Sequence, residues 1–444
     1  MMAAERQGLI EVMHPDDRAW NPWLHVEHPG MTKEQYARAR GMQDFYHKVG
    51  AEADVLFTKQ YSHVQFGGGF QAVSRVMGIP WILDLDDDVF HVDPFNPAYN
   101  TFRHKKEHEI ADIREIEKRE DARPDEDFIR ERDDGRLEAI KQKGWDIQKM
   151  VRRCIALADA VVVSTQELAK LYAAHRRKAG VPERVFVVEN ALDPVIWNQP
   201  TQPSSHPGEV WIGWAGAASH IADVVMLERV IDEILTRHPE VRFFWTRLPS
   251  PHLLRLSNKW GQRCVRLEAW SQIEHWADYY TALNFDIALA PLEDTVFTRS
   301  KSNLKWMEAG ILGQAMVASD CGPYHSTIRH GVDGFLASQP YQWIEYLSLL
   351  VNDPEKRRAV GDAAKARVLS EFSLEHNAKK WVNVFETVKR EYGPEIAERA
   401  RELRERKQAD EIQGSDQSDS EGDSASEGRS NRGAGSRSAM VGAA

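Results

Sequence analysis

Short apolar runs alternate with longer amphipathic stretches along most of this 444-residue chain, and that rhythm leaves few folds open. Runs of three to six residues are too short for core helices and fit strands covered on both faces, as in parallel sheets flanked by helices. The first half offers Leu9–Met13, Asp54–Thr58, Trp81–Leu85, Ala160–Ser164 and Val185–Glu189 as strands. Helical spacing covers Lys33–Val49, Phe70–Met77 and Gln166–Arg177 between them. A polar, turn-rich segment from Gln199 to Gly208 then interrupts the pattern. Beyond it the strands are Val210–Trp214, Val241–Trp245, Phe285–Ala290, Ala315–Ser319 and Gly334–Leu336. Helices over Val224–Arg237, Ile273–Leu283, Ser302–Ile311 and Tyr341–Val351 separate those strands. The pattern predicts two consecutive α/β domains, residues 1–198 and 209–375, with a linker at 199–208. Ligands of open parallel sheets bind beyond the carboxyl ends of the strands, so two such domains predict a cleft between them.

Three segments depart from the rhythm. Residues 103–153 are dense in Lys, Arg, Asp and Glu and are broken at Arg123-Pro124-Asp125. They read as a solvated helical hairpin inserted in the first domain, or as a lid or acceptor arm. Gly67-Gly68-Gly69 precedes a helix without matching G-x-G-x-x-G, so it is a helix entry or a minor ligand contact. Residues 412–444 carry Ser, Gly, Asp and Glu without apolar periodicity and are expected to form a disordered tail.

Composition excludes several function classes. A net charge of −11 gives no strong nucleic-acid signal, because phosphate binding needs a broad basic face. The short basic run His175-Arg176-Arg177-Lys178 suits a solvated helix end. Cys154, Cys264 and Cys321 are too scattered for a disulfide framework or a zinc site. No apolar run approaches the ~18 residues of a membrane span, and Met1–Ile10 lacks a signal-peptide core, so a cytoplasmic location is expected. Neither domain carries the dinucleotide glycine fingerprint of a dehydrogenase.

The segment from Phe297 to Ser319 is richest in chemistry. Ser300 or Ser302 can cap a following helix, on which Lys301, Lys305 and Glu308 share one face while Leu304, Met307 and Ile311 share another. A helix start with two lysines suits a diphosphate, and a carboxylate two turns on can accept both hydrogen bonds of a ribose diol. The same spacing also suits a plain surface Lys/Glu face. The second candidate is Asp84-Leu85-Asp86-Asp87-Asp88-Val89-Phe90-His91, which leaves a strand at its cleft end. Asp86, Asp87, Asp88 and His91 are catalytic candidates that position or deprotonate an acceptor, while some of the acids cap the next turn. A metal-bound nucleotide is the other use of such a D-x-D run.

These segments fall in a recognisable order. Ser300-Lys301-Ser302-x-x-Lys305-x-x-Glu308-x-x-x-x-Gly313-x-x-x-Val317-x-Ser319 is similar to the donor-site signature of glycosyltransferase family 4, whose members have the GT-B fold. Ile212-Gly213-Trp214-Ala215-Gly216-x-x-x-His220-x-x-Asp223 resembles the opening of that family's donor domain. Val187-Val188-Glu189-Asn190-Ala191-Leu192-Asp193 resembles the segment closing its acceptor domain, Ala158-Asp159-Ala160-Val161-x-Val163-Ser164-Thr165 the strand before that, and Gly331-x-Asp333-Gly334-Phe335-Leu336 the family's late G-x-x-G-x-L turn. The resemblance spans roughly Ala51 to Tyr392 and is shared with enzymes of bacterial polysaccharide clusters and phage genomes.

The resemblance implies two Rossmann-like, doubly wound domains facing across a cleft, with C-terminal helices over 376–411, the first crossing back to the N-terminal domain. It implies a hexosyltransferase-like enzyme using a nucleoside-diphosphate sugar with retention, without a metal or other cofactor. Glu308 matches the Glu that binds the donor ribose, and the backbone of Ser302–Leu304 would meet the diphosphate. Ser300 stands where the family has its sugar-contacting Glu; Lys301 or Asn303 would substitute. Gly216, Ser219 and His220 lie in the loop approaching the donor, where His220 is a ligand contact or a structural helix start. Trp20 and Trp23 lie in a loop that would face the acceptor, either stacking on a sugar or packing on their own domain. Glycan, protein and modified-base acceptors all fit. An inverting transferase, a nucleotide-sugar epimerase and a non-catalytic scaffold are the alternatives.

Overall fold

The strands form two separate, wholly parallel sheets. The computed structural model describes residues 53–59, 74–92, 94, 96, 99, 147–197, 206–216, 220–246, 250–268, 271 and 275–406. The expected strand at Leu9–Met13, helix at Lys33–Val49, Trp20, Trp23, Gly67–Gly69 and Ser219 lie outside those residues. So do the tail at 412–444, most of the charged insertion and most of the linker.

In the first sheet β1 (Leu56–Lys59), β2 (Trp81–Leu85), β3 (Ala160–Val163) and β4 (Val185–Val187) lie side by side in that order. Helices α1 (Ile147–Leu157) and α2 (Gln166–Lys178) flank β3 in the chain. Alternation across the strands sorts the core. Trp81, Leu83, Leu85, Val161 and Val163 meet Val151, Ile155, Leu168 and Tyr172 of α1 and α2. Ile82, Ala160 and Val162 point to the opposite face. A helix from the far end of the chain covers it.

After α3 (Pro194–Trp197) the second sheet begins. Its strands are β5 (Val210–Trp214), β6 (Val241–Thr246), β7 (Cys264–Leu267), β8 (Ile287–Ala290), β9 (Ala315–Ser319) and β10 (Phe335–Ala337). Their spatial order is β7-β6-β5-β8-β9-β10, the doubly wound order in which the chain reverses direction between β5 and β8. Helices α4 (Ile221–Val225), α5 (Leu227–Arg237) and α6 (Pro251–Trp260) come before β7. Helix α7 (Trp276–Leu283) leads into β8, and α8 (Val296–Arg299) and α9 (Leu304–Ile311) lead into β9. Helices α10 (Gly322–Thr327), α11 (Pro340–Asn352), α12 (Pro354–Glu371) and α13 (Leu374–Thr387) follow. Ile212, Trp214, Phe243, Trp245, Leu289 and Val317 pack on α5, α6 and α11. On the other face Ala288, Ala290, Met316 and Ala318 pack on α7, α9 and α12. At the centre, Gly213 lets the Phe285 ring rest on bare backbone; a β-carbon there would sit 2.2 Å from the ring.

The chain then returns to the first sheet. Leu192 and Ser373 form a parallel bridge, and Lys380 of α13 reaches Glu189 at 2.7 Å. Trp381 and Phe385 meet Phe57 edge-on at 5.4 and 5.9 Å, and Val384 and Val388 fill the open face over Ile82 and Val162. One turn of π-helix, Val388–Tyr392, leads into a helical segment that ends the described chain at 406. There Ala397 backs onto Gly78 at 3.1 Å from where a β-carbon would stand.

Two local expectations are corrected. The helix expected over Val224–Arg237 breaks at Met226 into α4 and α5. Neither Ser300 nor Ser302 caps α9. A Thr295–Thr298 capping box starts the separate turn α8 upstream, Ser300 closes it, and α9 begins only after Asn303. Lys301 therefore sits in the turn before the helix, not on its face.

Candidate active site

The reversal between β5 and β8 opens a crevice at the carboxyl ends of both strands, and the charged residues converge there. β5 runs into Ala215 and Gly216. The Gly216 amide donates to Thr246 Oγ1 at 3.0 Å, and that hydroxyl donates to the Gly216 carbonyl at 3.1 Å. This clamp from the end of β6 fixes the loop. A side chain at Gly216 would collide with the Trp214 ring at 2.6 Å and with Lys305 Nζ at 2.9 Å.

Lys305, in the first turn of α9, donates from Nζ to the Ala215 carbonyl at 2.5 Å and lies over the Trp214 ring at 5.4 Å. Burial pulls its pKa below the usual lysine range, against the attraction of Glu308. Glu308, one turn on, is 6% exposed, and burial pushes its carboxyl up despite Lys305 and a 2.8 Å hydrogen bond from Trp276 Nε1. Lys301 lies 5.0 Å from the Phe297 ring centroid. Burial lowers its pKa too, and Asp223 and Asp87 pull it back up.

His220 and Asp223 form the crevice's second edge. Asp223, 4% exposed, takes a 2.7 Å hydrogen bond from His220 Nδ1 on one oxygen and the Glu293 amide at 2.9 Å on the other. It thereby ties the loop after β5 to the loop after β8. Since a carboxylate only accepts, Nδ1 carries the hydrogen. Burial drives the imidazole's pKa down to about 4, with Lys305 and Lys301 adding to the effect, so the ring is neutral near pH 7.

The acidic run after β2 separates into three roles. Asp88 caps its own turn, accepting from the Phe90 amide at 2.9 Å, the His91 amide at 3.2 Å and His91 Nδ1 at 2.8 Å. Both Asp86 oxygens face the Asn190 amide at 3.2 Å. Asp87 is exposed, yet the protein around its carboxyl, with Asp86 beside it, holds its pKa up, and Lys301 opposes that. Among the described residues no group of three His, Cys, Asp or Glu side chains is placed to hold a metal ion.

The two sheets meet directly beside these groups. Thr165 caps α2 by accepting from the Leu168 amide, and its hydroxyl donates to the Ser300 carbonyl at 3.1 Å. Ser300 itself is 5% exposed, with its hydroxyl turned back on the Val296 carbonyl at 3.3 Å. Asn303 gives its amide to Thr327 at 3.1 Å, and Ser302 lies half-buried beside it. Thr165 and Trp276 were not singled out from the sequence. Asp223 was visible there as the acid three residues after His220.

Part of the chain is similar to known proteins. Residues 245–383 match a family described as Glycosyl transferase-like. The chain is 23% identical over 270 residues to the alpha-maltose-1-phosphate synthase of Mycolicibacterium smegmatis, covering 55% of this chain and 67% of that protein. It is 28% identical over 123 residues to the D-inositol 3-phosphate glycosyltransferase of Thermobispora bispora, a match spanning 27% of either chain. Among solved structures, sucrose-phosphate synthase of Thermosynechococcus elongatus aligns at 13% identity and TM-score 0.48, over 81% of this chain and 80% of that one. HepE of Anabaena in complex with UDP aligns at 13% identity and TM-score 0.49, over 80% and 84%. The family match runs from the end of β6 into α13 and so takes in Lys301, Lys305 and Glu308, in a chain built on two parallel sheets.

Proposed function

We propose that the chain transfers a sugar from a nucleoside diphosphate sugar to an acceptor hydroxyl with retention of anomeric configuration, as a family 4-like enzyme. The convergence of Lys301, Lys305 and Glu308 on the β5/β8 crevice carries this reading. Glu308 accepts the ribose diol, while Lys301, Lys305 and the start of α9 face the diphosphate. As the bond from the anomeric carbon to the diphosphate oxygen breaks, its electron pair leaves with the diphosphate, and these cations stabilise that charge without a metal. The acceptor oxygen bonds the anomeric carbon on the same face, and its proton passes to the departing oxygen. Asp87, held above the usual carboxylate range across from Lys301, orients the acceptor hydroxyl. Because Ser300 is turned inward and Asn303 is engaged with Thr327, Lys301 is the side chain left to reach the transferred sugar.

A thermal-shift screen of UDP-, GDP- and dTDP-sugars against wild type and Glu308→Ala tests the reading. One nucleotide class stabilises the wild type and not the variant, in the presence or absence of EDTA. Silence of the wild type across the panel refutes the enzyme assignment, and an inverted anomeric centre in the product, read by NMR, refutes retention.

A further inference from the structure

Resting on the reading of Glu308 as the ribose acceptor, we infer that Trp276 is the positioning residue that holds the Glu308 carboxylate ready for the donor. Glu308 is 6% exposed, and its hydrogen bond from Trp276 Nε1, at 2.8 Å, comes from another helix 32 residues away. The indole is a donor only, so it fixes Oε1 and leaves Oε2 open to a ligand that donates.

Trp276 is itself well anchored. It opens α7, whose Ala277 and Tyr280 are buried in the core, and its ring lies 5.8 Å from Tyr280 and 5.7 Å from Tyr279. The nearest cation, Lys305, is committed to the Ala215 carbonyl at 2.5 Å. Removing the indole N–H therefore leaves a buried carboxyl facing a lysine one turn away on its own helix. Glu308 then takes up a proton or turns toward Lys305, drawing that ammonium off Ala215. Either result weakens the ribose contact, and burial already biases the carboxyl toward its neutral form.

The test is titration calorimetry of wild type, Trp276→Phe, Glu308→Ala and the double variant from pH 5.5 to 8.5. The probes are UDP, GDP, ADP and CDP with their 2′-deoxy counterparts. Trp276→Phe keeps the ring and is expected to bind the preferred ribonucleotide about tenfold more weakly at neutral pH, since the bond lost is one to a charged group. The loss grows toward acid, is smaller for the 2′-deoxy nucleotide, and vanishes in the Glu308→Ala background. Equal weakening for both sugars and in both backgrounds, or none, overturns the inference while leaving nucleotide binding standing. A wild type that binds none of the eight probes removes this inference and the proposed function together.

Discussion

Acid stability offers a clean test of how the crevice holds its charges. His220 has its pKa driven from 6.5 to about 4 in the folded chain, mainly by burial. The folded state thus refuses a proton that the unfolded chain accepts once the pH falls below 6.5. Stability from this residue is intact above that pH, declines through the window down to pH 4, and is level below it. A shift from 6.5 to about 4 corresponds to about 3.4 kcal/mol in full, of which about 2 kcal/mol is lost by pH 5. His220→Asn places an amide nitrogen near the position of Nδ1, keeps a donor for Asp223 and removes the titration. Urea unfolding of both proteins at pH 7.5 and pH 5, followed by tryptophan fluorescence, gives a double difference in which all other titrating groups cancel. The wild type is expected to lose ~2 kcal/mol more than the variant between the two pH values. Equal losses in the two proteins would mean that His220 accepts a proton in the folded state and that its burial has no electrostatic consequence.

Gly213→Ala forces a β-carbon to 2.2 Å from the Phe285 ring and should destabilise by about 1–3 kcal/mol in thermal denaturation. Phe285→Leu in the same chain should recover part of that, and strict additivity would contradict the contact. Thr165→Asp keeps an acceptor for the Leu168 amide but sets a carboxylate against the Ser300 carbonyl in place of a donor, so Tm should fall slightly and kcat/KM about tenfold. Thr165→Ser should match the wild type in both measurements, and an Asp variant of full activity would dismiss the bond between the two halves. Lys305→Met removes the donor to the Ala215 carbonyl and the cation beside Glu308, so it should lower stability by about 1–2 kcal/mol while abolishing nucleotide-sugar binding. Retained nucleotide-sugar binding in that variant would refute the place given to Lys305 beside the diphosphate.

The parts of the fold that could be read in sequence are those where one physical signal dominates. Strands β3 and β9 are buried along their whole length, so their apolar runs stand out unbroken. β7 did not stand out, because this edge strand fully buries only Cys264 and carries Arg266 in its middle. α12 was missed for a related reason. Its buried stripe is Val360, Gly361, Ala364 and Val368, small residues that let the helix approach closely. A β-carbon at Gly361 would strike the Gly313 carbonyl at 2.0 Å, so the contact depends on what the side chains lack. α6 did carry a signal in Ser250 followed by Pro251, a cap with proline at the first helical position. In the crevice, Lys301, Lys305 and Glu308 announce themselves as charges. Thr165 and Trp276 acquire their contacts from residues 135 and 32 positions away, which no local spacing encodes.

The contrast between two kinds of buried charge explains why the crevice is suited to a ligand. Arg176, 2% exposed, is fully occupied: it donates to the carbonyls of Pro182, Ile155, Ala158 and Asp159. Such a group locks α2 against α1 and the start of β3 and needs nothing further. Among the described residues, Lys305 has the Ala215 carbonyl and the Trp214 ring face, Glu308 has the Trp276 indole, and Lys301 has the Phe297 ring face. For all three, burial is the largest influence on pKa and works against the charged form. A protein gains no stability from charges held this way. The proposed donor, with a diphosphate at the α9 start and a diol one turn along, would supply each of them with a further partner. Under that proposal, the charge that costs stability in the crevice is the same charge that would favour a nucleoside diphosphate over a neutral sugar, and selectivity for the donor would follow from leaving it incompletely paired.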